Sequence, residues 1–230
     1  FGPLIGAAAA VRMDRGSTGL RDLWKSATRW RIPARWYGLA LGLALVLAVI
    51  PALVAVLTGT AEFRSDRLAA FLPVAGILLV SQFFTSGLGE EPGWRGYLLP
   101  FLRNRFDPEK SIWILGLIWA VWHYPFTAYH TLQAVSSNPT AAVVVTVLFS
   151  LAGQTMSLIG ITYLYVWLYN GTGSVFLAMV FHALTNTINA VVFSSIDGQM
   201  TLFIALMPWA VVLILQKVLG KEGFPGDPAG

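Results

Sequence analysis

Six stretches of this chain, 37–58, 68–88, 111–129, 141–169, 174–193 and 200–219, are runs of about 20 predominantly apolar residues. A helix of that length crosses about 30 Å of hydrocarbon, and lipid forces each backbone N–H and C=O to find its partner within the protein. The pattern predicts an all-α protein, a polytopic transmembrane helix bundle with six complete spans. Composition agrees: 56% of the 230 residues are hydrophobic, 11% are charged and the mean hydropathy is +0.67, too apolar for an ordinary soluble domain. Residues 1–11 are apolar but too short to cross, and are expected to be the end of a truncated N-terminal span.

The basic residues orient the bundle. Seven fall in 12–35, four in 89–110, and Lys217 and Lys221 lie at the end of the last span and beyond, so that 13 of 15 share one side of an alternating topology; Arg64 and Arg67 lie on the other. Lys and Arg gather in cytoplasmic loops, which assigns 12–35, 89–110 and the C-terminus to the cytoplasm. The net charge of +4 follows from that asymmetry and calls for the lipid bilayer, not nucleic acid, as the partner. The expected organisation is a truncated span and basic interfacial segment over 1–36, a transmembrane bundle over 37–219 and a cytoplasmic tail over 220–230. Cysteine is absent, which removes disulfides, thiolate nucleophiles and Cys-ligated zinc. The chain also has no His-Glu-x-x-His metalloprotease helix and no phosphate-binding glycine loop.

Against this apolar background, three segments carry groups that are expensive in hydrocarbon and call for a reason. In the first, Glu90-Glu91-Pro92-Gly93-Trp94-Arg95, the glycines and proline predict a break at 87–93 and a new short interfacial helix starting near Pro92, with both carboxylates at its N-terminus. Glu91 and Arg95, four apart, then share a face and pair, while Glu90 points elsewhere and is free to take a proton. An ion pair that merely caps a helix is the alternative. In the second segment His123 lies midway along its span, one turn after Trp119 and just before Pro125; such a histidine either serves a site or bonds between helices. In the third, His182 and Asn186 share a helical face with Thr185 and Asn189, a stripe that lines a cavity or glues helices together. Ser150, Gln154 and Ser157 recur at helical spacing and either line the same cavity or pack.

Together these segments resemble the signature of the CPBP family, the CAAX protease and bacteriocin-processing intramembrane endopeptidases: Glu-Glu-x-x-x-Arg, Phe-x-x-x-His and His-x-x-x-Asn. Glu90, Glu91 and Arg95 match the first element, and His123 the second, with Trp119 where the family usually has Phe. His182 and Asn186 match the third. The resemblance covers about 78–192. It implies a larger bundle around a water-accessible site on the cytoplasmic side of a bacterial cytoplasmic membrane, and hydrolysis of a membrane-embedded or lipidated protein or peptide. In that comparison Glu90 and His123 activate water, and His182 with Asn186 stabilises the oxyanion. No cofactor is assigned, although zinc held by Glu90, His123 and His182 stays open beside the metal-free route. A non-proteolytic membrane scaffold or immunity-type protein and a proton-relay transporter are the other classes.

Overall fold

The computed structural model describes residues 1–135 and 140–226. Its helices are α1 (Gly2–Ala27), α2 (Ala34–Leu57), α3 (Ser65–Arg103), α4 (Pro108–Val135), α5 (Thr140–Asn170), α6 (Val175–Ser194) and α7 (Thr201–Lys221). Among the described residues, α2, α3, α5, α6 and α7 are long and apolar enough to cross a membrane. The 28-residue α4 falls short of that apolarity, since Tyr124, Thr127, Tyr129 and His130 follow His123 along it. Residues 227–230 of the expected tail lie outside the described residues.

The two ends of the bundle differ. At one end the helix termini are tied together: Arg103 donates to Asn170 at 2.8 Å, Asn170 donates to the Pro225 carbonyl at 2.9 Å, and Ser174 caps α6 while donating to the Arg29 carbonyl. This is the end the basic residues assign to the cytoplasm. At the other, a two-stranded antiparallel ribbon of β1 (Ala61–Phe63) and β2 (Ile196–Gly198) joins the α2–α3 and α6–α7 connections. Small residues let the helices approach: α2 buries Ala40, Ala44, Ala48, Ala52 and Ala55 at helical spacing and packs on α6, as membrane helices do where van der Waals contact must replace the hydrophobic drive.

One expectation is corrected. The break at 87–93 is not there: α3 runs unbroken from Ser65 to Arg103 and no separate interfacial helix begins at Pro92. Two widened π-turns, Phe83–Gly87 and Trp94–Leu98, flank the proline and accommodate its missing N–H and bulky ring. The glycines serve contact instead. A Cβ on Gly87 would lie 2.8 Å from the Met179 carbonyl oxygen, and one on Gly93 2.6 Å from Pro3. Glu90 and Glu91 therefore sit inside a helix, not at its N-terminus. Residues 1–11 form the first half of α1, which kinks at Gly16 (φ 64°). It packs along the 88–98 stretch of α3, burying Ala7, Val11 and Leu23.

Candidate active site

A cavity of about 840 Å³ lies between α3, α4 and α6, and Glu90, His123, His182 and Asn186 all line it. They come from three helices, so only the tertiary fold brings them together. Gln82 and Ser86 from α3 and Asn189 from α6 extend the polar wall, and Trp122, Phe126 and Phe193 form an apolar one.

Glu90 is half-buried, and its Oε2 accepts from two indoles, Trp94 Nε1 at 3.1 Å and Trp119 Nε1 at 3.0 Å. Hydrogen bonds to an ionised carboxylate are stronger than neutral ones and hold it in one orientation. With Oε2 doubly engaged, Oε1 is the oxygen left to take a proton from a ligand in the cavity. Trp94 is four residues beyond Glu90 and reaches it along α3, whereas Trp119 reaches across from α4.

Glu91 and Arg95 are fully buried beneath the cavity. Arg95 Nη1 donates to both Glu91 oxygens, at 3.0 and 2.8 Å, and its guanidinium lies over the rings of Tyr165 at 3.9 Å and Trp119 at 4.5 Å. Arg95 Nε and Nη2 have no hydrogen-bond partner among the described residues; the aromatic faces are what they meet, and cation–π attraction is strongest where water is excluded. His182 Nδ1 donates to Glu91 Oε1 at 2.7 Å. One carboxylate thus anchors the arginine and orients the histidine.

His123 Nδ1 lies 2.9 Å from the Trp119 carbonyl. A carbonyl only accepts, so Nδ1 carries the proton and Nε2 is the basic nitrogen of the neutral ring. Asn186 donates from Nδ2 to Gln82 Oε1 at 2.9 Å, and Ser86 donates to the same oxygen at 2.9 Å.

Some expected members lie apart. Thr185 donates back to carbonyls of its own helix. Gln154 accepts from Thr127 on α4, and Ser157 donates to the Ile204 carbonyl on α7; both tie helices together, and neither they nor Ser150 line the cavity. Among the described residues no three His, Asp and Glu side chains are grouped to hold a metal ion; Glu90 Oε1, His123 Nε2 and His182 Nε2 are the atoms of the three that the hydrogen bonds above leave uncommitted. The roles of Trp94, Trp119 and Gln82 were not apparent from the sequence. Trp94 carried a signal in its i+4 spacing from Glu90, Trp119 in standing where Phe is usual, and Gln82 in being a lone amide within an apolar run.

The fold and this cavity define a helical membrane protein with a polar, acid-and-imidazole site between its helices. The family described as Type II CAAX prenyl endopeptidase Rce1-like matches residues 72–188, just over half of the chain and including every lining residue from Gln82 to Asn186. The chain belongs to that family. It is thereby an integral membrane protein of an intramembrane protease family. No curated protein matches the chain.

Proposed function

We propose that this protein is an intramembrane endopeptidase that hydrolyses a peptide bond in a membrane-embedded or lipidated protein or peptide, with Glu90 and His123 activating the attacking water. Glu90 takes a proton from water as the water oxygen attacks the scissile carbonyl, and passes it to the departing amine as the tetrahedral intermediate collapses. His123, with Nδ1 committed to the Trp119 carbonyl, accepts a hydrogen bond from the same water through Nε2. Asn186 and His182 stabilise the oxyanion. Asn186 uses the second hydrogen of the amide that Gln82 holds, and His182, when doubly protonated, uses Nε2–H while Glu91 balances its charge. Every step uses protein groups alone.

The observation that carries this reading is the indole pair on Glu90, since a carboxylate fixed through one oxygen and facing a cavity with the other has the geometry a general base needs. Around it we place six spans, counting α4, with the basic segment of 1–36 and the tail of 220–230 flanking the bundle on the cytoplasmic face of a bacterial membrane. The test compares the membrane peptides of cells carrying wild-type protein with those of cells carrying Glu90→Gln, by mapping new protein termini. Termini that vanish with the substitution support the endopeptidase; a function that survives it unchanged is that of a scaffold. Chelator treatment of the purified protein tests the zinc route, which requires loss of cleavage and its return with zinc alone.

A further inference from the structure

A second cavity, of about 590 Å³, lies at the basic end of the bundle, and the hydrolysis proposed above makes no use of it. Asp14 and Arg15 of α1 line it together with Tyr97, Pro100 and Phe101 of α3 and Arg105 just beyond that helix. Both walls are held in place by local structure. On α1, Gly16 takes a left-handed φ of 64° that L side chains rarely adopt, and the kink draws the second half of the helix onto the first. A Cβ on Gly19 would lie 2.7 Å from Arg15 Cβ and 2.8 Å from Val11 Cγ1, so the stem of Arg15 rests against its own helix. On the other wall, Tyr97, Phe101 and Arg105 recur every four residues and stack. The two rings are 5.8 Å apart between centroids, and the Arg105 guanidinium lies 3.6 Å over Phe101 while Nη1 donates to the Phe101 carbonyl at 3.1 Å.

Asp14, Arg15 and Arg105 border one cavity, yet none of them takes part in an ion pair among the described residues. A carboxylate and two guanidiniums that share a cavity without neutralising one another match a ligand that brings both charges itself. The arginines and tryptophans of 12–35 place this end at the membrane interface, where the ligand at hand is a lipid headgroup. We infer that the cavity binds the phosphoethanolamine headgroup of a phospholipid. The phosphodiester accepts from Arg15 and Arg105, whose planar forks suit phosphate oxygens, and the ammonium donates to Asp14. The glycerol and the first acyl carbons lie along Pro100, Phe101 and the Tyr97 ring. A choline head has no N–H to give Asp14, and a glycerol head brings it no cation. Bound there, the lipid joins α1 to α3 and stabilises the fold by mass action.

The test titrates delipidated protein in detergent micelles with dioleoyl phosphatidylethanolamine, phosphatidylcholine or phosphatidylglycerol, and counts bound lipid by native mass spectrometry. Salt of about 0.5 M screens the general attraction of the basic segment for anionic lipid. The wild type is expected to bind phosphatidylethanolamine roughly tenfold more tightly than either other lipid, the worth of one charge-assisted hydrogen bond. Arg15→Met/Arg105→Met should lose that binding, and Asp14→Leu should lower it to the level of phosphatidylcholine. Asp14→Lys should transfer the preference to phosphatidylglycerol, a gain that a misfolded variant cannot show. Equal affinity for the three lipids overturns the inference, as does tighter binding of phosphatidylglycerol by the wild type. So does an ethanolamine preference that survives Asp14→Leu or the double arginine variant. Soluble O-phosphoethanolamine that displaces the lipid at equal concentration overturns the lipid as the source of the group. Binding needs no hydrolysis, so these outcomes stand apart from the result with Glu90→Gln.

Discussion

Arg95→Met removes the cation from a completely buried ion pair in the bundle. Arg95 and Glu91 have no exposed side-chain surface and meet at 2.8 Å; beyond the arginine, His182 is the one further partner of the Glu91 carboxylate among the described hydrogen bonds. Stranding a buried charge in this way costs about 3–5 kcal/mol, a range that already contains the lost stacking on Tyr165 and Trp119. The double variant Glu91→Gln/Arg95→Met takes away both charges, conserves volume and leaves an amide oxygen for His182 Nδ1, so it is expected within about 1 kcal/mol of wild type, as for buried pairs replaced together. The second substitution should therefore restore about 2–4 kcal/mol of what the first removes. Unfolding by SDS titration in mixed micelles, followed through the nine tryptophans, measures both. A single variant within about 1 kcal/mol of wild type, or a double variant less stable than the single, refutes the claim that this pair is a charge-balanced unit.

Three further outcomes follow from the contacts. Trp119→Phe keeps a ring in the core but removes one of the two donors to Glu90; since a hydrogen bond to a charged group contributes about 1.5–3 kcal/mol and Trp94 still donates, kcat/KM should fall roughly tenfold at nearly unchanged stability. Unchanged kcat/KM would remove the indole from the site. Gln82→Met releases Asn186 and Ser86, and is expected to lower kcat while leaving KM in place; the reverse split would make Gln82 a substrate contact instead of a positioning residue. Gly93→Val drives a side chain into Pro3, where even a Cβ lies at 2.6 Å, and should cost about 1–3 kcal/mol of overpacking. Gly42→Ala, with nothing within 4 Å of its added Cβ, should be neutral in the same SDS titration.

Much of this architecture is legible in the chain because lipid leaves few options. Apolar runs located α2, α5, α6 and α7 to within a few residues, and i+4 spacing found the Glu91–Arg95 pair before any tertiary contact was known. The 87–93 stretch misled for a physical reason. Glycine and proline mark breaks in water, which takes over the freed backbone groups, whereas lipid offers no such partner and keeps the helix continuous, the glycines admit a neighbouring backbone, and π-turns absorb the proline. The hydrogen bonds of His182 to Glu91 and of Trp119 to Glu90 span 91 and 29 residues, and no local periodicity encodes such pairs.

The central claim is that Glu90 activates water. Its most direct test is the rate at which purified protein, reconstituted in liposomes, cleaves a substrate identified by terminus mapping, compared with Glu90→Gln under identical conditions. Glutamine keeps the size of the side chain and an oxygen for the two indole donors, but cannot take the proton. The account predicts a fall in kcat of at least about 10²–10⁴-fold, the contribution of positioned acid–base catalysis, with the SDS unfolding midpoint retained. Full cleavage by a folded Glu90→Gln variant contradicts it.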